Sequence, residues 1–125
     1  MRLLLDTHAL VWALSDPKKL SAAVRQALEN PAHEIFVSVA SAWELAIKNA
    51  LGKIRFPFEE LAHELAEAGF ELLPVRLEHA LSVRHLPQHH RDPFDRLLIA
   101  QSTHEGLTFV SRDKAFSRYE VPLFW

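Results

Sequence analysis

The sequence predicts a three-layer α/β/α domain built on a central parallel sheet, and three observations carry that prediction. Short apolar runs of strand length alternate with stretches of helical periodicity, the pattern of βαβ units whose crossovers cover both faces of a parallel sheet. The chain has 125 residues, 49% of them hydrophobic, which suits one compact domain burying roughly two thirds of its unfolded surface. Only three glycines and seven scattered prolines punctuate it, so connections are short and nothing divides residues 1–125 into parts.

Each element has a local cause. Arg2–Leu5 is an apolar run closed by Asp6, a strand. Ala9, Leu10, Ala13 and Leu14 then recur at helical spacing, so Thr7–Ser15 is a helix, stopped by Asp16-Pro17. Leu20–Asn30 is a second helix, ended by Asn30-Pro31, and Ile35–Ser38 the next strand. Ser41 to about Leu51 is a helix with Gly52 at its C-terminal end. Pro57 opens a helix over Phe58–Ala68 that Gly69 closes. Phe70–Val75 is a strand and Leu77–Leu86 a helix. Pro93–Glu105 carries the clearest punctuation: Asp92 as cap, proline at the first position, Gly106 after the last turn. Leu107–Ser111 is a strand, Lys114–Arg118 a short helical turn, and Val121–Phe124 an edge strand.

Composition excludes several classes. Fourteen basic against sixteen acidic residues leave a net charge of −2, so any nucleic-acid site is a local basic patch on a near-neutral body. The absence of cysteine removes disulfides and thiolate metal sites and fits a reducing compartment. No apolar run approaches the roughly 18 residues that span a bilayer. MRLLLD lacks the apolar core of a signal peptide, since Asp6 interrupts it. The expectation is a cytoplasmic protein without membrane attachment.

The chemistry lies in four carboxylates. Crossover helices run antiparallel to the strands they connect, so strand C-terminal ends and helix N-terminal ends share one edge, where open α/β sheets bind ligands. Asp6 ends the first strand and Asp113 lies just past the fourth. Glu44 is expected in the first turn of the helix after Ile35–Ser38, and Asp95 in the first turn of the helix leading to Leu107–Ser111. Singly, each has a structural explanation. Ser41-Ala-Trp-Glu44 matches a capping box, Asp95 suits a helix dipole, and Asp6 and Asp113 are placed to cap the Thr7 helix and the Lys114 turn. Jointly, four acids on one edge repel, and holding them ionised and partly buried is costly without a counter-charge. Oxygen-only ligands suit Mg2+ or Mn2+, and scattered histidines without cysteine disfavour structural zinc. Such a metal centre points to phosphate chemistry. With no glycine-rich phosphate loop, a phosphodiester is a better substrate than a nucleotide held by a P-loop.

Four blocks, LLLDTHALVWAL (3–14), SVASAWELAIKNALGKI (38–54), HRDPFDRLLIAQS (90–102) and LTFVSRDKAFSRYEV (107–121), resemble in order and spacing the PIN-domain ribonucleases, and within them the VapC-type toxins of type II toxin–antitoxin modules. The resemblance spans nearly the whole chain. It implies a PIN-like α/β/α domain with metal-dependent endoribonuclease activity, and by position it carries over Asp6, Glu44, Asp95 and Asp113 as catalytic and metal-binding residues. On that reading Asp6, Asp95 and Asp113 hold one Mg2+ or Mn2+ ion, and Glu44 is a further ligand or the general base. Ser111 stands where the family more often has threonine, and its hydroxyl is placed to bond a ligating carboxylate or water. Arg96, Ser111, Arg112 and Lys114 are candidate substrate contacts, Arg112 and Lys114 because they adjoin Asp113 and Arg96 because it adjoins Asp95. Lys48 lies four residues after Glu44 as in a helix ion pair. His85, His89, His90 and Arg91 read as a solvated basic loop, His8 matches the family, and Trp12, Trp43 and Trp125 read as core or interface aromatics. The family also implies an RNA substrate, a VapB-type antitoxin whose basic side chain blocks the acidic site, and a homodimer.

Rival readings fit less well. A receiver domain needs an acidic pair at the first strand, where LLLDTH offers one acid. A haloacid-dehalogenase-type phosphatase needs aspartate two residues after Asp6, where His8 stands. The alternative of a different class is a PIN-like module that binds RNA or protein without catalysis.

Overall fold

A computed structural model describes all of residues 1–125. Five strands, β1 (Arg2–Leu5), β2 (Glu34–Ser38), β3 (Phe70–Leu73), β4 (Thr108–Val110) and β5 (Leu123–Phe124), form one sheet in the order β3-β2-β1-β4-β5. Every pairing is parallel, with Leu3 opposite Ile35 on one side and Thr108 on the other. Six helices cover it: α1 (Thr7–Ser15), α2 (Ala22–Glu29), α3 (Val39–Ala50), α4 (Leu61–Ala68), α5 (Leu77–Ser82) and α6 (Pro93–Glu105). No helix is long and apolar enough to cross a membrane.

The alternation of side chains along β1 divides the core. Leu3 and Leu5 pack with Leu10, Val24, Ile35, Val37 and Leu65 on one face, and Leu4 packs with Leu98, Ile99, Phe109 and Phe116 on the other. Both faces of β1 are therefore dry, which is why its sequence is a continuous leucine run and not an alternating one. This is the α/β/α layering expected from the strand–helix alternation.

The predicted boundaries shift where a distant partner intervenes. The second helix begins at Ala22, because Ser21 accepts the Val24 N–H and residues 17–19 form a separate 3-10 turn. The expected helix over Leu77–Leu86 ends at Ser82 and tightens into a 3-10 turn over 83–85. Helix α6 obeys its signals: Asp92 Oδ1 accepts the N–H groups of Phe94 at 2.8 Å and Asp95 at 3.3 Å. It closes on Gly106 at φ +66°, whose N–H returns to α6 carbonyls. Replacing Gly106 with alanine would force a Cβ into the left-handed region, and we expect a loss of about 1 kcal/mol in urea unfolding with no effect on the site.

Candidate active site

The chain runs β1 to β2 to β3 outward on one side, then returns to place β4 on the other side of β1. This reversal opens a crevice between the C-terminal ends of β1 and β4, the position where open α/β sheets bind ligands. Asp6 sits at its floor, 6% exposed, with its backbone N–H bonded to the Val110 carbonyl of β4. Its Oδ1 accepts the Ala9 N–H at 2.7 Å and so caps α1. Burial pushes its carboxyl above the usual range, against the opposing pull of hydrogen bonds from Ser111 and the Ala9 N–H, while Glu44 pushes the same way as burial.

Glu44 corrects one expectation. The helix α3 starts at Val39, not Ser41, because Ser38 is its cap and accepts the Ala40 N–H. Glu44 is thus the sixth residue, in the second turn, and the capping-box match is fortuitous. The Ser41 hydroxyl instead lies 3.2 Å from that of Thr7, which donates to Glu44 Oε1 at 2.7 Å. Lys48 binds Glu44 Oε2 at 2.8 Å, the helix pair its spacing suggested. Thr7 is a buried positioning residue that sequence reasoning passed over. The signal was its place directly after Asp6, where the first turn of α1 faces α3.

Asp95 carries the strongest electrostatic signature. Partial burial, then the charges of Asp92, Glu44, Asp6 and Asp113, push its carboxyl up to about 7. Acids from three other elements, and the cap of its own helix, therefore act on one group. Asp113 is more open, its side chain 54% exposed. Its Oδ1 caps the 3-10 turn over 114–118 at the Ala115 N–H, and its Oδ2 lies 3.7 Å from His90 Nε2. His90 is not the solvated loop residue expected: its ring stacks on Phe116 at 4.5 Å and lies 3.2 Å from the Tyr119 hydroxyl.

The donor set is four carboxylates with Lys48 as the one lysine or arginine paired to any of them, a set that suits a hard divalent cation. Their oxygens are held apart: the one trio of metal-capable side chains with ligand atoms within 4.8 Å of each other is His79, His104 and Glu105. That trio does not fit a metal. His79 Nδ1 accepts the Arg76 backbone N–H at 3.0 Å, so Nε2 carries the proton and donates to Glu105 at 2.8 Å. A cation at Nε2 would displace that proton and leave the ring without one. Glu105 is held below its usual acidity range by that bond.

The acidic crevice has a consequence for metal-free stability. Asp95 titrates at 3.8 unfolded and at about 7 folded, so the folded state binds more protons in that window. Stability conferred by the neutral carboxyl is present below the unfolded value and lost as pH rises through the folded one. We expect the melting temperature in EDTA to fall from about pH 4.5 to about pH 8, and millimolar Mn2+ to flatten that decline. A Tm equally steep with and without Mn2+ would show that no cation meets these acids.

Of the candidate substrate contacts, Arg96 is corrected. It is 8% exposed, and its guanidinium donates to the carbonyls of Pro87 at 2.8 Å, Val83 at 3.2 Å and Leu86 at 3.4 Å. It ties the segment after α5 to α6 and has no free face for RNA. Ser111 is also buried. It bonds Asp6, as expected of its hydroxyl, and accepts the Asp113 N–H at 3.1 Å, so its place is among the acids and its hydroxyl is already engaged. Arg112 and Lys114 are exposed beside Asp113. Trp43 is 61% exposed against Phe94, not in the core, whereas Trp12 and Trp125 are half-buried against it.

Comparison with known proteins bears on this arrangement. The family model described as PIN domain matches residues 3–122. Ribonuclease VapC22 of Mycobacterium tuberculosis is 30% identical over 122 residues, 95% of this chain and 92% of that protein. VapBC2 from Rickettsia felis, solved bound to a DNA fragment from their promoter, superposes with a TM-score of 0.72 at 18% identity, covering 99% of this chain and 98% of that one. FitAcB from Neisseria gonorrhoeae gives a TM-score of 0.63 at 20% identity, covering 98% and 96%. At those identities the two structures speak for the fold, while the family model and the curated relative speak for descent. This chain belongs to the PIN-domain family.

Proposed function

We propose that this chain is a metal-dependent endoribonuclease, the toxin of a VapBC-type toxin–antitoxin pair, hydrolysing RNA phosphodiester bonds at the crevice between β1 and β4. One observation carries the reading: four carboxylates from four elements face one crevice, where burial, then the charge of Asp92 and those of Glu44, Asp6 and Asp113, push Asp95 up to about 7. Asp6, Asp95 and Asp113 would hold Mg2+ or Mn2+. Such an ion polarises a phosphoryl group and yields hydroxide at neutral pH. Glu44, oriented by Thr7 and Lys48, is a further ligand or the base that takes the proton of the attacking water. The products would be a 5′-phosphate and a 3′-hydroxyl. A VapB-type antitoxin covering the site with a basic side chain, a homodimer and a cytoplasmic location complete the proposal. The non-catalytic alternative gives no reason for four intact acids at the crevice.

The test is cleavage of RNA by purified protein in Mn2+, in EDTA, and by Asp6→Asn with its fold checked by circular dichroism. Cleavage confined to wild type with metal is expected. Cleavage at the wild-type rate by Asp6→Asn would refute the site. In cells, growth arrest on expression should be relieved by co-expressing a VapB-type partner, and by Asp6→Asn.

A further inference from the structure

Beside the acids lies a hollow of about 320 Å3 lined by Asp6, His8, Trp12, Arg112 and Asp113, at the small end of ligand-sized pockets. Its walls differ in chemistry. The inner wall is carboxylate, and the outer wall is two cationic or protonatable side chains gathered on an indole. His8 stacks on Trp12 at 5.7 Å with 27° between the planes, and the Arg112 guanidinium lies 6.0 Å from the Trp12 ring centroid. Trp12 is itself held edge-on by Trp125 and packs on the core, so the platform is rigid.

Arg112 stands out among the arginines at this edge. Arg96 is buried and bound to three carbonyls, whereas the Arg112 side chain forms no ion pair or hydrogen bond although Asp113 is its neighbour in the chain. Its donors are free in a hollow that also contains two acids of the crevice. A guanidinium steadied on an aromatic face is pre-organised to clamp a phosphate oxygen with two N–H groups. An exposed imidazole beside it offers a planar surface to a base, and stacking of this kind tolerates any base identity.

We propose that His8, Trp12 and Arg112 form a one-nucleotide subsite next to the scissile bond, with Arg112 binding a phosphate and His8 stacking the adjacent base of single-stranded RNA. This rests on the ribonuclease reading above and names the residues that hold its substrate. Trp12 acts through Arg112 and His8 as a positioning residue. The subsite secures the strand without reading its sequence, because phosphate contacts and stacking carry little base information.

The experiment uses a fluorescently labelled hexauridylate. Binding by the full-length protein is followed by anisotropy in Ca2+, and cleavage is followed separately in Mn2+. Arg112→Ala should weaken binding about tenfold and raise KM to match, with kcat within about threefold of wild type. His8→Ala should weaken binding about threefold, and Arg112→Lys should fall between wild type and Arg112→Ala. Trp12→Phe, which keeps the packing, should melt close to wild type yet bind less tightly. Wild-type binding by both Arg112→Ala and His8→Ala overturns the subsite. So does a fall in kcat with KM unchanged. Binding of an arginine-rich peptide but not of hexauridylate assigns the hollow to a protein partner and also overturns it. If wild type binds the RNA in an Arg112-dependent way but never cleaves it, the subsite stands and the ribonuclease reading fails.

Discussion

Asp95→Asn is expected to abolish RNA cleavage while making the metal-free protein more stable. The activity loss should reach at least about 10²–10³-fold, the scale for removing one preorganised charge from a reacting phosphate's surroundings. The stability gain comes from the same carboxyl. Burial and four neighbouring acids raise Asp95 from 3.8 to about 7, so ionising it at higher pH works against the fold. The full shift corresponds to about 4 kcal/mol, and solvent around a partly exposed group reduces that to about 2 kcal/mol. The neutral amide escapes this cost, which should lift Tm by about 5–10 °C at about pH 8 in EDTA. Because the wild-type carboxyl becomes neutral as pH falls, the gap should close towards about pH 4. Mn2+ should stabilise wild type and leave Asp95→Asn nearly unmoved. A less stable Asp95→Asn would mean the carboxyl is not under electrostatic strain, and the crevice would lose its main claim to a cation.

The second large effect is structural. Arg96→Ala should destabilise the domain by about 3 kcal/mol, seen as a lower urea midpoint with unchanged slope. The guanidinium donates to three carbonyls in the segment 83–87, and alanine takes that donor from Leu86 and Pro87, while the Val83 carbonyl keeps the Leu86 N–H. Arg96→Lys should recover only part, since one ammonium cannot span three acceptors set by a planar fork. Lys114→Ala, an exposed cation beside the acids, should change stability by less than about 0.5 kcal/mol. If Arg96→Ala instead raises KM for RNA at unchanged stability, the residue belongs to the substrate face after all.

Arg96 also shows why sequence adjacency misled. It comes directly after Asp95, but one step along a helix turns the side chain by about 100°, so the acid faces the crevice and the arginine faces the α5 side. Ser111 bonds a site carboxylate as its hydroxyl suggested, but just past β4 it is buried between Asp6 and the Asp113 N–H, away from the open face a substrate contact needs. The start of α3 was misplaced because Ser41 and Glu44 imitate a capping box. The hydroxyl that in fact caps the helix, Ser38, also binds Gln101 at 2.6 Å across 63 residues, a partner no local pattern announces. By contrast, Asp92-Pro93 and Gly106 delimit α6 as read, since caps and left-handed turns act within a few residues.

The amino-acid sequence by itself determined the elements and the edge on which the acids gather. Hydrophobic period, caps and glycine stops are local forces, and in a parallel α/β sheet strand ends and helix starts must share an edge. The tertiary structure alone decided the strand order β3-β2-β1-β4-β5, and with it the crevice that sets Asp6 beside Asp113. It also decided which polar groups meet: Thr7 with Glu44, His90 with Asp113, Arg96 with its three carbonyls. Those pairings depend on which faces the packed layers bring together, so they exist only once the sheet has closed around its two cores.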